Sequence, residues 1–181
     1  MQAFCSFIIL ITVCPLLSCK KGPNAMKKII CILLMCLAFS FTAFAETGET
    51  FTLWFEEDFS LDLPAGWVSY PVSEEDRAGD IRYILGNGEG TRLMYILCRP
   101  TTYESIDALN TAVLADEDYE KTGDLVFDGQ PFIAFALSGQ DISGCMTLHD
   151  GNLLTFVYSP QSDSEYMMLA ASIMDTFNSI A

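Results

Sequence analysis

The chain has a single histidine, His149, and only nine basic side chains against 24 acidic ones. Four of the nine, Lys20, Lys21, Lys27 and Lys28, lie before residue 46, where there is no acid. Residues 46–181 therefore hold five basic and 24 acidic side chains, a net charge of −19. The five, Arg77, Arg82, Arg92, Arg99 and Lys121, form no run. Nucleic acid and anionic membranes bind through Lys and Arg that displace counterions, so neither is an expected partner of this region. The same field favours a cationic protein partner; its plainer consequence is solubility. There is no internal repeat and no low-complexity segment. The glycine-rich GNGEG (86–90) joins two strands and opens no helix, so it lacks the N-terminus that cradles phosphate.

Cysteine becomes scarce in the same way. Cys5, Cys14, Cys19, Cys31 and Cys36 all precede residue 46, which leaves Cys98 and Cys145. One histidine and two separated cysteines are no zinc pattern. The acidic runs DEDYE (116–120) and EEDRAGD (74–80) lack the D-x-D-x-D-G spacing of a calcium loop. No metal and no cofactor is expected. Two readings of Cys98 and Cys145 stay open: a disulfide closing a long loop, suited to an exported protein, or two buried thiols acting as small hydrophobes.

What the chain does have is a second beginning at Met26. Lys27 and Lys28 form a basic end, Ile29 to Phe39 an apolar core, and Ala43-Phe44-Ala45 a small-x-small cleavage site. Residues 26–45 thus read as a signal peptide cut between Ala45 and Glu46. The rival is an uncleaved anchor, for which Ile29 to Ala45 is short. Residues 1–25 read as an over-extended start or an extra leader. Their Leu16-Leu17-Ser18-Cys19 resembles a lipobox, but no Lys or Arg precedes the apolar run. Export to the cell envelope or exterior is the expectation, with a tethered or lipid-anchored module as the alternative.

Residues 46–181 suit one domain. Phe51, Leu53 and Phe55 alternate with Thr52, Trp54 and Glu56, and Phe59, Leu61 and Leu63 alternate with polar residues, which predicts strands. IRYIL (81–85) and TRLMYILC (91–98) flank GNGEG as a hairpin. Ser105 starts a helix on Ile106, Leu109 and Val113 through the 116–120 run. LVF (125–127) and PFIAFAL (131–137) flank Asp128-Gly129; ISGCMTLH (142–149) and LLTFVY (153–158) flank Asp150-Gly151-Asn152. Ser162-Asp163-Ser164-Glu165 reads as a capping box for a helix whose stripe is Tyr166, Leu169, Ala170, Ile173 and Phe177. Several strands are apolar on both faces and need cover on both. The expected fold is α+β: an antiparallel sheet of about six strands covered by helices, in three layers.

FSLDLPAGW (59–67) resembles the opening signature of PsbP-like domains, a strand followed by Leu-Pro-x-Gly-Trp. The closing helix MMLAASIMDTF (167–177) is similar to theirs, and the order of elements agrees over about 51–180. Members include the photosystem II extrinsic subunit, a Ran-binding protein and envelope proteins of the DcrB type. The resemblance implies a sandwich domain that mostly binds proteins. The matched residues are packing residues, so it carries over no catalytic residue.

For catalysis, the one thiol–imidazole option is Cys98 with His149, on condition that their strands neighbour each other. Cys145 shares a face with His149 but lies four residues away, about 13 Å along a strand. Ser143 and Thr147 on that face suggest an edge-strand surface. A hydrolase using acidic residues or Cys98/His149 is the alternative to a non-catalytic, protein-binding or envelope-assembly module. Trp54 is the candidate interface aromatic; Trp67, after PAG, is expected to fold over the core.

Overall fold

The computed structural model describes residues 49–179. The leader, the signal peptide and the Ala45–Glu46 cleavage lie outside the described residues. Gly48–Ala181 form one compact unit. No helix among the described residues is long and apolar enough to cross a membrane.

Strands β1 (Thr50–Phe55) and β2 (Phe59–Pro64) form a hairpin, with Phe55 opposite Phe59 and Leu53 opposite Leu61. Alternation puts Phe59, Leu61 and Leu63 on one face, all essentially inaccessible. The two-residue β10 (Asn178–Ser179) pairs with β2 and completes a three-stranded sheet, β1-β2-β10.

A second sheet holds seven antiparallel strands in the order β3-β4-β5-β9-β8-β7-β6. These are β3 (Trp67–Tyr70), β4 (Ile81–Asn87), β5 (Leu93–Pro100), β6 (Tyr119–Phe127), β7 (Gln130–Leu137), β8 (Ser143–His149) and β9 (Asn152–Ser159). The expected six strands therefore become seven, plus three in a sheet of their own. The missed members are β3 and β10. They are four and two residues long, too short for a period to register, and are held by their partners.

The even-numbered side chains of β5 and β9, Met94, Ile96, Leu154 and Phe156, join Phe59, Leu61 and Tyr166 in the larger core. Its cover is the small sheet together with helix α3 (Ser164–Met174), where helices had been expected. On the other face, helix α2 (Ile106–Ala115) lays Leu109 and Val113 over Ile133, Phe135 and Met146. Helix α2 stops at Ala115. Asp116 caps it in extended backbone, and the chain then enters β6, so residues 116–120 are not the end of the expected helix. The acidic loop after β3 contains a short helix, α1 (Glu74–Ala78), closed by a capping box of Ser73 and Asp76. At α3 the cap is Asp163, one residue later than the sequence suggests: its carboxylate accepts from the Tyr166 N–H at 3.0 Å. Trp67 is buried beside Tyr166, as the PAGW reading expects.

Candidate acidic site around His149

Antiparallel hairpins send alternate turns to opposite ends of a sheet. The β6–β7 turn, Asp128-Gly129, and the β8–β9 turn, Asp150-Gly151, therefore share one end. Both residues of each turn have positive φ, between 47° and 74°. That is the twist two-residue hairpins need, and it is why Asp-Gly occurs there. The β1–β2 turn, Glu56-Glu57-Asp58, reaches the same end because the small sheet lies over this face.

His149 closes β8 at this end and is 8% exposed. Its Nε2 is buried without a hydrogen-bond partner; the nearest carboxylate oxygen is Asp150 Oδ2, at 3.8 Å. Two hollows share Asp58, His149 and Asp150. One, of about 210 Å³, also touches Glu56, Glu57 and Cys98. The wider one, of about 710 Å³, adds Asp128 and Ser179. No Lys or Arg lines either hollow. Arg77 and Arg82 line the next one, past Glu57. Of the remaining cations, Arg92 Nε donates to Asp163 at 2.7 Å, Lys121 pairs with Asp124 at 2.6 Å, and Arg99 lines a separate hollow with Tyr103 and Asp116.

Tyr83 buttresses the β1–β2 turn. Its hydroxyl donates to Glu57 Oε2 at 2.8 Å and accepts from the Glu56 N–H at 3.2 Å. Burial first, then the charge of Glu57 and Glu56, pushes its phenol up to about 12. Glu57 is thus fixed, while the Glu56 and Asp58 carboxylates accept no protein hydrogen bond among the described residues.

Cys98 and His149 line the same hollow, but their strands are not neighbours. Cys98 faces Leu154 and His149 faces Asn152, both on β9, which lies between them. Two strand spacings and two residues of offset put their Cα atoms roughly 11–12 Å apart. Burial raises the Cys98 thiol pKa, with the Glu57 charge adding to it and Arg82 opposing. A nucleophilic thiol needs the opposite shift.

The disulfide is corrected too. Both thiols are free and buried. Cys145 faces Phe156, so β9 again intervenes, and the two Cα atoms lie roughly 11–12 Å apart, beyond disulfide reach. Burial pushes the Cys145 thiol up to about 12, against a contact with the Tyr158 hydroxyl at 3.5 Å. Thr147 and Ser143 mark no edge surface. β8 is an inner strand, and Thr147, 1% exposed, donates to the Pro131 carbonyl at 2.7 Å. Trp54 is 62% exposed, opposite Ser60 and two residues before Glu56. No group of three or more metal-ligating side chains converges among the described residues.

Comparison with solved structures finds the solution structure of cyanobacterial PsbP (CyanoP) from Synechocystis sp. PCC 6803, at TM-score 0.52 and 13% identity, covering 76% of this chain and 96% of that one. The fold is PsbP-like. It is a mixed α+β arrangement dominated by antiparallel sheet, as FSLDLPAGW suggests. No protein-family model and no curated protein matches the chain. At this identity the likeness to CyanoP concerns the fold.

The sequence held part of the site in view. The two Asp-Gly turns are legible one by one; the sequence does not mark Glu56-Glu57-Asp58 as a turn. The unpartnered His149 is not legible, because it depends on the small sheet closing over β8.

Proposed function

We propose that the protein is an exported, non-catalytic binding module of the bacterial envelope or exterior. It is built as a layered PsbP-like sandwich and holds a cationic protein partner at its acidic end. The carrying observation is the pair of hollows around His149, with Glu56, Asp58, Asp128 and Asp150 at their walls and no Lys or Arg among their lining residues. An incoming ammonium or guanidinium would supply that charge and donate hydrogen bonds to the Glu56, Asp58 and Asp150 carboxylates; Asp128 already accepts from the Ser179 N–H. Trp54, exposed on the outer face of β1, away from Leu53 and Phe55, offers a separate aromatic contact to the same partner. The net charge of −19 would steer such a partner inward. Against a Cys98/His149 hydrolase stand the raised thiol pKa and the intervening strand.

The test immobilises residues 46–181 and passes over them an envelope extract from the source organism. A partner should be retained at low salt and released near ~0.5 M salt, where exposed charges are screened within a few ångströms. The E56Q/D58N/D150N variant should not retain it. Equal retention by that variant would remove the acidic end from the account. An ester- or peptide-hydrolysing activity lost in Cys98→Ser would replace binding with catalysis. An intact mass beginning at Glu46 would separate export with cleavage from tethering.

A further inference from the structure

The β6 edge of the seven-stranded sheet carries a second surface, which shares only Asp128 with the His149 hollows. Among the described residues β6 pairs only with β7, so alternate residues of β6 direct their N–H and C=O groups outward. The first half of the strand is protected in the usual way for an edge: a bulge between Lys121 and Gly123, and a lysine. The second half, Asp124–Phe127, has regular pairing to β7 and no such device. Two of its apolar side chains face solvent, Leu125 at 39% and Val126 at 67% exposure. Leu125 and Phe127 also border a largely apolar cleft of about 250 Å³, which runs beneath α3 past Ala134, Met167 and Ala171.

We propose that Asp124–Phe127 takes an extended segment of another protein as an eighth strand. The added strand places an apolar side chain beside Leu125 at the mouth of the α3 cleft and another beside Val126. Backbone pairing supplies the attachment and the cleft the selectivity, as in other cases of strand addition. Charge decides the occupant. Asp124 opens the free stretch and Asp128, which accepts from the Ser179 N–H, follows it; Asp175 lines the cleft, and the nearby cation, Lys121, is already bound to Asp124. A second copy of this chain would bring the same carboxylates against them, which opposes self-pairing. A segment with basic residues opposite Asp124 and Asp128 fits.

The experiment uses residues 46–181 labelled for NMR and two peptides of equal charge, one carrying KTVVK and one KTSSK. The first should shift β6 amides between residues 122 and 128 and give amide contacts across the new pair. The second should bind at least about tenfold more weakly, the difference expected when two valines lose their burial. Val126→Lys, on a side chain that already faces solvent, should abolish the shifts while leaving the rest of the spectrum intact, and Leu125→Lys should do the same. The proposal falls if the shifts gather only at residues 56–58 and 150–151, or if both peptides bind alike. It also falls if the unliganded domain sediments as a dimer that Val126→Lys dissociates, since the occupant would then be a second copy. Binding that survives E56Q/D58N/D150N would separate this edge from the acidic end.

Discussion

Cys98 and Cys145 share a face and a core yet cannot meet, because β9 runs between them. Without reductant, a thiol reagent should therefore count none on the native domain at pH 8 and two after unfolding. A count of zero after unfolding would mean a disulfide and a different strand order. Tyr166 is wholly buried, and its hydroxyl donates to the Leu93 carbonyl at 2.6 Å. Tyr166→Phe leaves that acceptor without its donor and should cost about 1–3 kcal/mol in urea unfolding. Burial raises the phenols of Tyr158 and Tyr166 as well as that of Tyr83. The folded chain keeps these protons where the unfolded chain has released them. Stability from this source is whole below about pH 10 and falls as the pH climbs toward about 12, so unfolding in base should be steep. Tyr83→Phe should flatten part of that limb.

At the scale of elements, two junctions decide whether the layers close. Gly144, on β8, leaves room for the Phe135 ring: a Cβ there would approach Phe135 Cζ to 2.8 Å and run into the Phe156 carbonyl. Gly144→Ala should cost about 3 kcal/mol or more, read by thermal unfolding. The start of α3 is tied to β5 through Arg92 and Asp163. The Tyr166 N–H, then the Arg92 guanidinium, hold the Asp163 carboxyl below its ordinary value. Its contribution is whole above about pH 4 and is lost as the pH falls through that lower value. Asp163→Asn keeps an accepting oxygen for the cap, so it should reduce the acid sensitivity below about pH 4 more than the stability at pH 7.

Legibility followed element length and turn chemistry. Alternation in FSLDLP, the two Asp-Gly turns and the Tyr166–Phe177 stripe could be read directly, because each rests on local physics. The bulge at Lys121–Gly123 breaks the period of β6 and hid its first half, so only LVF read as a strand. Helix α1 is five residues long and stands on its caps more than on an apolar face, since none of its residues is buried. Of the site, the two Asp-Gly turns were visible. Their meeting with His149 was not, because it depends on one sheet closing over another.

For the whole molecule, charge dominates behaviour in solution. With five basic and 24 acidic side chains, residues 46–181 should be less stable at low ionic strength than in moderate salt, apart from any ligand. One end of the sheet holds Glu56, Asp58, Asp128 and Asp150 around His149, while the β4–β5 turn with Glu89 lies at the other, together with residues 116–120 and Asp141. The most direct measurement places a photo-crosslinking residue at Asp58 or at Glu89 in the full chain, expressed in its source organism. The account predicts a discrete adduct with an envelope protein from position 58, weakened by high salt, and none from position 89. An adduct from position 89 with none from position 58, or no adduct from either in cells that export the protein, would contradict it.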